Sequence, residues 1–141
     1  MEGSTNYFLE KMKIDYRVLI NPFSILKSGE VREKIDCFVS DNGIDAKNFL
    51  AYSGGERQRI TLAGILAIQK LINLSSNGRG LNLLLLDESL GNIDSRGTME
   101  IVKILERLGI TVMLITQNVE DVSIFRNCLR VVKDDGVSKF I

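Results

Sequence analysis

Four leucines followed by two acids, Leu83-Leu84-Leu85-Leu86-Asp87-Glu88, form the most chemically pointed stretch of the sequence. A short continuous apolar run reads as a strand covered on both faces. The two carboxylates fall at its carboxyl end, where open α/β sheets place their ligand sites. Burying charge there is costly unless a metal or a partner is present. A functional division follows: one carboxylate binds a Mg²⁺ that holds phosphates, and the next polarises an attacking water. The plainer alternative is a strand that ends in two solvent-exposed acids.

Three further segments carry polar chemistry. Ser53-Gly54-Gly55-Glu56-Arg57-Gln58-Arg59 has a Ser and two Gly at a predicted helix start. Free N–H groups, close backbone approach at the glycines and the helix dipole suit an anion there. The alternative is an ordinary capping box, Ser53 with Glu56 three residues on. Ser89-Leu90-Gly91-Asn92-Ile93-Asp94 is a polar loop directly after the acids, or simply a connection in which Asp94 or Ser95 caps the next helix. Thr116-Gln117-Asn118 ends the following strand and reaches the same sheet edge.

Composition removes other chemistries. The 141 residues include no His, so Ser-His-Asp triads, Cys-His dyads and His-ligated metals are excluded. Two cysteines, Cys37 and Cys128, are too few for a disulfide scaffold or a four-Cys zinc site and read as buried reduced thiols. With 18 basic and 18 acidic residues the net charge is zero, which gives no global attraction to nucleic acid or membrane. No apolar run approaches a membrane span. Met1 to Thr5 is polar and acidic rather than a signal peptide, so the expected location is cytoplasmic.

The elements that must position these segments follow from pattern. Residues 1–50 read as short strands and turns leading into the Ser53 segment, and residues 51–141 as alternating helix and strand. Met1 to Lys13 has little pattern and is a frayed start or a helix remnant. Tyr16 to Ile20 is a strand stopped by the turn pair Asn21-Pro22. Lys34 to Val39 alternates as a second strand, ended by Asp41-Asn42-Gly43. A helix runs from Gly54 to about Leu74, its middle buried on most sides. After the Ser75–Gly80 loop and the Leu83 strand come an amphipathic helix over Ser95 to Leu108, stopped by Gly109, and a buried strand over Ile110 to Ile115. A short helix is expected from Val119 to about Phe125. A hairpin over Leu129 to Ile141 turns at Asp134-Asp135-Gly136. Strand–helix–strand alternation predicts an α/β fold: a parallel sheet with helices on both faces, plus short antiparallel strands.

Taken in order, the four segments resemble the nucleotide-binding motifs of ABC-type ATPases. Ser53 to Arg59 is similar to the signature motif, Leu83 to Glu88 to Walker B with its catalytic Glu, and Leu90 to Asp94 to the D-loop. Thr116-Gln117-Asn118 lies where the superfamily has its switch loop. The resemblance covers roughly residues 50–120 and identifies the C-terminal lobe of an ABC-type ATPase head. The long stretch from Ser53 to Asp87, the missing Ala-Arg-Ala-Leu, and Glu88-Ser89-Leu90-Gly91 in place of Glu-Pro-Thr resemble the double-strand-break-repair and recombination branch. That branch belongs with the structural-maintenance-of-chromosomes group and includes phage recombination endonuclease subunits. A long coiled coil separates the two halves of such a head, and residues 1–13 fall where the returning coil meets it.

The resemblance implies roles. Asp87 holds Mg²⁺, Glu88 orients the hydrolytic water, and Ser53 and Gly55, within the Ser53-Gly54-Gly55-Glu56 turn, contact ATP bound to the opposite subunit. Asp94 makes the D-loop contact across the dimer, and Gln117 takes the switch position. Two departures matter. The switch residue is usually His, and an amide cannot be protonated; a shift of register by one would bring Asn118 there instead. No Gly-x-x-x-x-Gly-Lys-Ser/Thr occurs, so the phosphate-cradling loop must come from a separate N-terminal lobe. The implied cofactors are ATP and Mg²⁺. The implied partners are that P-loop lobe, a second head, a nuclease subunit and DNA, with no membrane, in a cytoplasmic, nucleoid-associated or phage-encoded setting. Arg126, Arg130, Lys133 and Lys139 are candidate DNA-phosphate contacts or scattered surface charge. Two other readings stand beside this one: a transporter or translation-type ABC module, and a non-enzymatic half-head that regulates an intact ATPase.

Overall fold

The computed structural model describes residues 1–41, 43, 46–77, 79–117 and 123–141. Helix α1 spans Glu2–Lys11 and buries Thr5, Phe8 and Leu9. Strands β1 (Tyr16–Ile25) and β2 (Val31–Asp41) form an antiparallel hairpin, and β3 (Lys47–Asn48) adds to β2. Val18 faces Val39 and Ile20 faces Cys37 across the ladder. Val18 and Val39 belong to the core, and Ile20 and Cys37 pack against it.

The turn expected at Asn21-Pro22 is not a turn. Strand β1 continues through it to Ile25, and the register instead slips between Asn21 and Phe23. Proline lacks an N–H and is tolerated at a bulge on an edge strand. Strand β1 is an edge, and α1 caps the inner part of that edge with side chains. Asn6 accepts from the Val18 N–H at 2.7 Å and donates to the Val18 carbonyl at 3.0 Å, while Glu2 accepts from the Ile20 N–H at 2.9 Å. Within residues 1–13, Glu2–Lys11 is therefore helical, and a short 3₁₀ helix over Phe49–Ala51 leads into the Ser53 segment.

Helix α2 spans Gly54–Ser75 and α3 spans Ser95–Glu106. Ile60, Leu62, Ala63, Leu66 and Ala67 of α2 share the main core with Ile101 and Leu105 of α3. Burial on α2 is one broad face rather than most sides, since Ile68 and Leu71 are exposed. Gly109 adopts φ +67 after α3, a backbone that favours glycine at a helix end. Strand β4 (Leu83–Asp87) pairs in parallel with β5 (Thr111–Ile115). The closing hairpin, β6 (Val131–Asp134) and β7 (Val137–Phe140), turns at Asp135 and Gly136 with φ +46 and +81. Two consecutive positive φ values are what a two-residue hairpin turn requires. The helix expected over Val119 to Phe125 falls mostly outside the described residues.

The α/β class with a parallel pair and short antiparallel strands is as expected. Double cover of the Leu83 strand is not. Leu84, Leu86, Val112 and Leu114 point into the core. On the opposite face Leu83 is 50% exposed, Leu85 60%, Met113 49% and Ile115 47%. A continuous leucine run signals apolar neighbours on both sides; among the described residues, only one side has them.

Candidate functional site

Glycine and serine shape the start of α2. Ser53 is its N-cap: the hydroxyl accepts from the Glu56 N–H at 3.4 Å, and the Glu56 carboxylate accepts from the Ser53 N–H at 2.7 Å. The expected capping box is therefore present. Its second carboxylate oxygen has a partner that the sequence pattern did not disclose, the hydroxyl of Tyr16 on β1. These bonds hold the Glu56 carboxyl below its ordinary range, with the Tyr16 bond the largest cause. The same bond, with burial and the nearby charge, pushes Tyr16 up to about 12. Tyr16 stacks edge-on to Tyr52 with ring centroids 5.3 Å apart, and the Tyr52 hydroxyl donates to the Val39 carbonyl at 2.7 Å. The signature-like turn is thus anchored to the hairpin that precedes it.

Gly54 and Gly55 differ in surroundings. A Cβ on Gly54 would meet nothing within 4 Å, whereas one on Gly55 would stand 2.6 Å from the Asn92 carbonyl oxygen. Gly55 is therefore required by the loop after β4, and Gly54 is the open one of the two.

Asp87 and Glu88 lie at the carboxyl end of β4, both exposed. The desolvation argument drawn from a buried pair therefore does not apply in this chain, because the uncovered face of β4 leaves the acids in water. Glu88 instead stands out by its backbone, at φ +49. For a residue with a Cβ that region is strained, and such strain concentrates at functional sites. Asp87 is opposite Ile115, and the Glu88 N–H donates to the Ile115 carbonyl at 2.9 Å. Exposed Gln117, two residues past Ile115, thereby comes to the same edge. Asn118 lies outside the described residues.

Asp94 caps α3 by accepting from the Gly97 N–H at 3.1 Å and pairs with Arg59 of α2. Its side chain keeps 68% exposure, so an outward contact remains open to it. Gln58 bonds the Glu88 carbonyl at 2.9 Å and the Asn92 N–H at 3.0 Å. Tyr16 thus joins the site, and Gln58, Arg59 and Asn92, already within the candidate segments, gain specific partners there. Periodicity gave no signal for them, since each acts through a partner distant in sequence.

The donor set fits a Mg-nucleotide in part. Adjacent exposed carboxylates are hard oxygen ligands, and Mg²⁺ commonly takes one or two carboxylates with the remainder from phosphate and water. Among the described residues no group of three or more His, Cys, Asp or Glu forms an all-protein metal cage. Asp87 and Glu88 would hold the ion only together with a nucleotide.

Of the candidate DNA contacts, Arg126 pairs with Glu106 at 3.4 Å and Lys139 with Asp134 at 2.7 Å, on separate surface elements. Cys37 is half-buried and burial pushes its thiol up, but Cys128 is exposed, contrary to the expected burial of both. No described helix is long and apolar enough to cross a membrane.

No family model matches the chain. It is 26% identical over 132 residues to a putative ABC transporter ATP-binding protein of Methanothermobacter thermautotrophicus, covering 89% of this chain and 43% of that protein. Among solved structures, one described under ATP-driven dimerization and DNA-stimulated activation of SMC ATPases superimposes with TM-score 0.71 at 21% identity, over 99% of this chain and 81% of that one. The Smc head domain of Pyrococcus furiosus, bound to the C-terminal domain of ScpA, gives TM-score 0.72 at 20% identity, over 99% of this chain and 33% of that one. The chain spans less than half the length of curated relatives it matches. What the chain shares with these solved structures is their fold, that of SMC ATPase head domains.

Proposed function

We propose that this chain is the C-terminal ATPase lobe of a DNA repair or recombination ABC protein. It completes one ATP site with a separate P-loop lobe and engages a second ATP, on an opposing head, through Ser53, Gly54 and Gly55. The observation that carries this reading is the open apolar face of β4 and β5. Leu83, Leu85, Met113 and Ile115 are exposed directly beneath the Asp87–Glu88 edge. A contiguous exposed apolar patch beside polar site residues marks an interaction surface. A second lobe seated there would extend the sheet's cover and bring its phosphate loop to the carboxylates.

The residues divide the work. Asp87 supplies an oxygen to Mg²⁺, which when bound neutralises charge on the phosphates. Glu88 orients and polarises water at the γ-phosphate. Gln117 senses that phosphate as a hydrogen-bond donor that does not titrate. Across the dimer, the Ser53 hydroxyl and the open N–H groups at Gly54 and Gly55 face the opposing nucleotide at a helix N-terminus, and Asp94 offers its exposed oxygen to the opposing D-loop. The Glu56 carboxylate, tied to Tyr16 and Ser53, holds this turn in shape. ATP then joins two heads and hydrolysis releases them. A nuclease subunit and DNA are the partners of the assembled head.

The SMC-type neighbours favour the DNA branch; the transporter name of the curated relative favours a transporter module as the second reading. Mixing this chain with its P-loop lobe and measuring ATP turnover tests the first. Turnover should require both lobes, rise with DNA, and be lost in Glu88→Gln. Unchanged turnover in Glu88→Gln removes Glu88 from its role, and turnover indifferent to DNA favours the transporter reading.

A further inference from the structure

One face of α2 holds both ends of the loop after β4. Gln58 donates from Nε2 to the Glu88 carbonyl and accepts at Oε1 from the Asn92 N–H. Gly55 lies against the Asn92 carbonyl, and Arg59 pairs with Asp94. The two ends of the Gln58 amide are used in opposite senses. Glu at this position would lose the donor and keep the acceptor; Met would lose both.

The backbone of Glu88 is fixed from two sides. Its N–H is bonded to the Ile115 carbonyl of β5 at 2.9 Å. Its carbonyl accepts from Gln58 and from the Gly91 N–H at 3.3 Å. A left-handed backbone on a residue with a Cβ persists only when its surroundings determine it, and Gln58 supplies part of that determination.

We infer that Gln58 is a positioning residue that links the Ser53–Gly55 turn to Glu88. The turn that meets the nucleotide of the opposing head and the carboxylate of this chain's own site are then joined by one side chain. Gln58 thereby ties the position of the first turn of α2 to the backbone of Glu88. The link to hydrolysis rests on the site roles proposed above; the clamp itself does not.

Two variants separate the two arms. Amide hydrogen exchange on this chain alone reads the arm to Asn92. In Gln58→Met the Asn92 amide should exchange about 5-fold faster, the effect of losing one ordinary hydrogen bond, while amides in the middle of α2 are unchanged. In Gln58→Glu the Asn92 amide should stay protected. In the head assembled with its P-loop lobe, Gln58→Glu should lower kcat about 10-fold or more with KM for ATP unchanged, as expected for misplacement of a reacting group. Unchanged Asn92 exchange in Gln58→Met overturns the clamp. Wild-type turnover in Gln58→Glu, with turnover abolished in Glu88→Gln, overturns the link to Glu88 and leaves the site reading intact. Wild-type turnover in Glu88→Gln overturns the site reading, and Asn92 exchange still decides the clamp.

Discussion

The hydroxyl of Tyr16 donates to the carboxylate of Glu56, 40 positions later in the chain, and so binds the first residue of β1 to the first turn of α2. The bond moves both groups in opposite directions, Tyr16 up to about 12 and Glu56 below its ordinary value of 4.5.

A pH window follows. A raised Tyr16 contributes stability that is full below its unfolded value of 10.0 and is lost as pH rises through about 12. A lowered Glu56 contributes stability that is full above 4.5 and is lost as pH falls through its depressed folded value. Tyr16→Phe should therefore cost about 1 kcal/mol near neutral pH and less at both extremes. Urea unfolding across pH measures this. Phenolate absorbance should show a late-titrating tyrosine that Tyr16→Phe removes.

The two glycines of the turn should respond differently to the same substitution. Gly55→Ala drives a Cβ into the Asn92 carbonyl, and overpacking against backbone costs about 1–3 kcal/mol. Gly54→Ala meets open space at the first helical position and should be neutral or stabilise by up to about 1 kcal/mol. Thermal unfolding of the two variants gives the comparison, and equal Tm values would remove the claimed contact.

Glu88 carries a backbone that glycine adopts freely. Glu88→Gly should stabilise the isolated chain by about 1 kcal/mol while abolishing turnover in the assembled head. A variant that is less stable would show that the Glu88 side chain, and not its backbone, dominates the local energetics. Denaturant midpoints distinguish the two.

The open face of β4 should matter for assembly and little for folding. Leu85 is 60% exposed, so Leu85→Thr keeps a residue suited to strands and should change chain stability by less than about 0.5 kcal/mol. Association with the P-loop lobe should weaken by about 10-fold or more, the loss typical of a central apolar anchor. Calorimetric titration of one lobe into the other measures it.

The sequence by itself determined the order of elements in residues 54–115, the capping box at Ser53, a helix cap at Asp94 or Ser95 and the turn at Asp135-Gly136. Each of these is a local matter of caps, turn residues and periodicity, which act within a few positions. It also showed that these 141 residues hold no lysine-bearing phosphate loop and no His, so that the switch residue proposed at Gln117 is an amide. Only the tertiary structure decided that β1 runs past Pro22, because the tolerance of a proline depends on being at a sheet edge. Only it decided which face of the leucine strand is covered, since four consecutive leucines look alike from either side. And only it disclosed Tyr16 on Glu56 and Gln58 between Glu88 and Asn92, because a hydrogen bond between residues 30 or more positions apart leaves no period in the sequence.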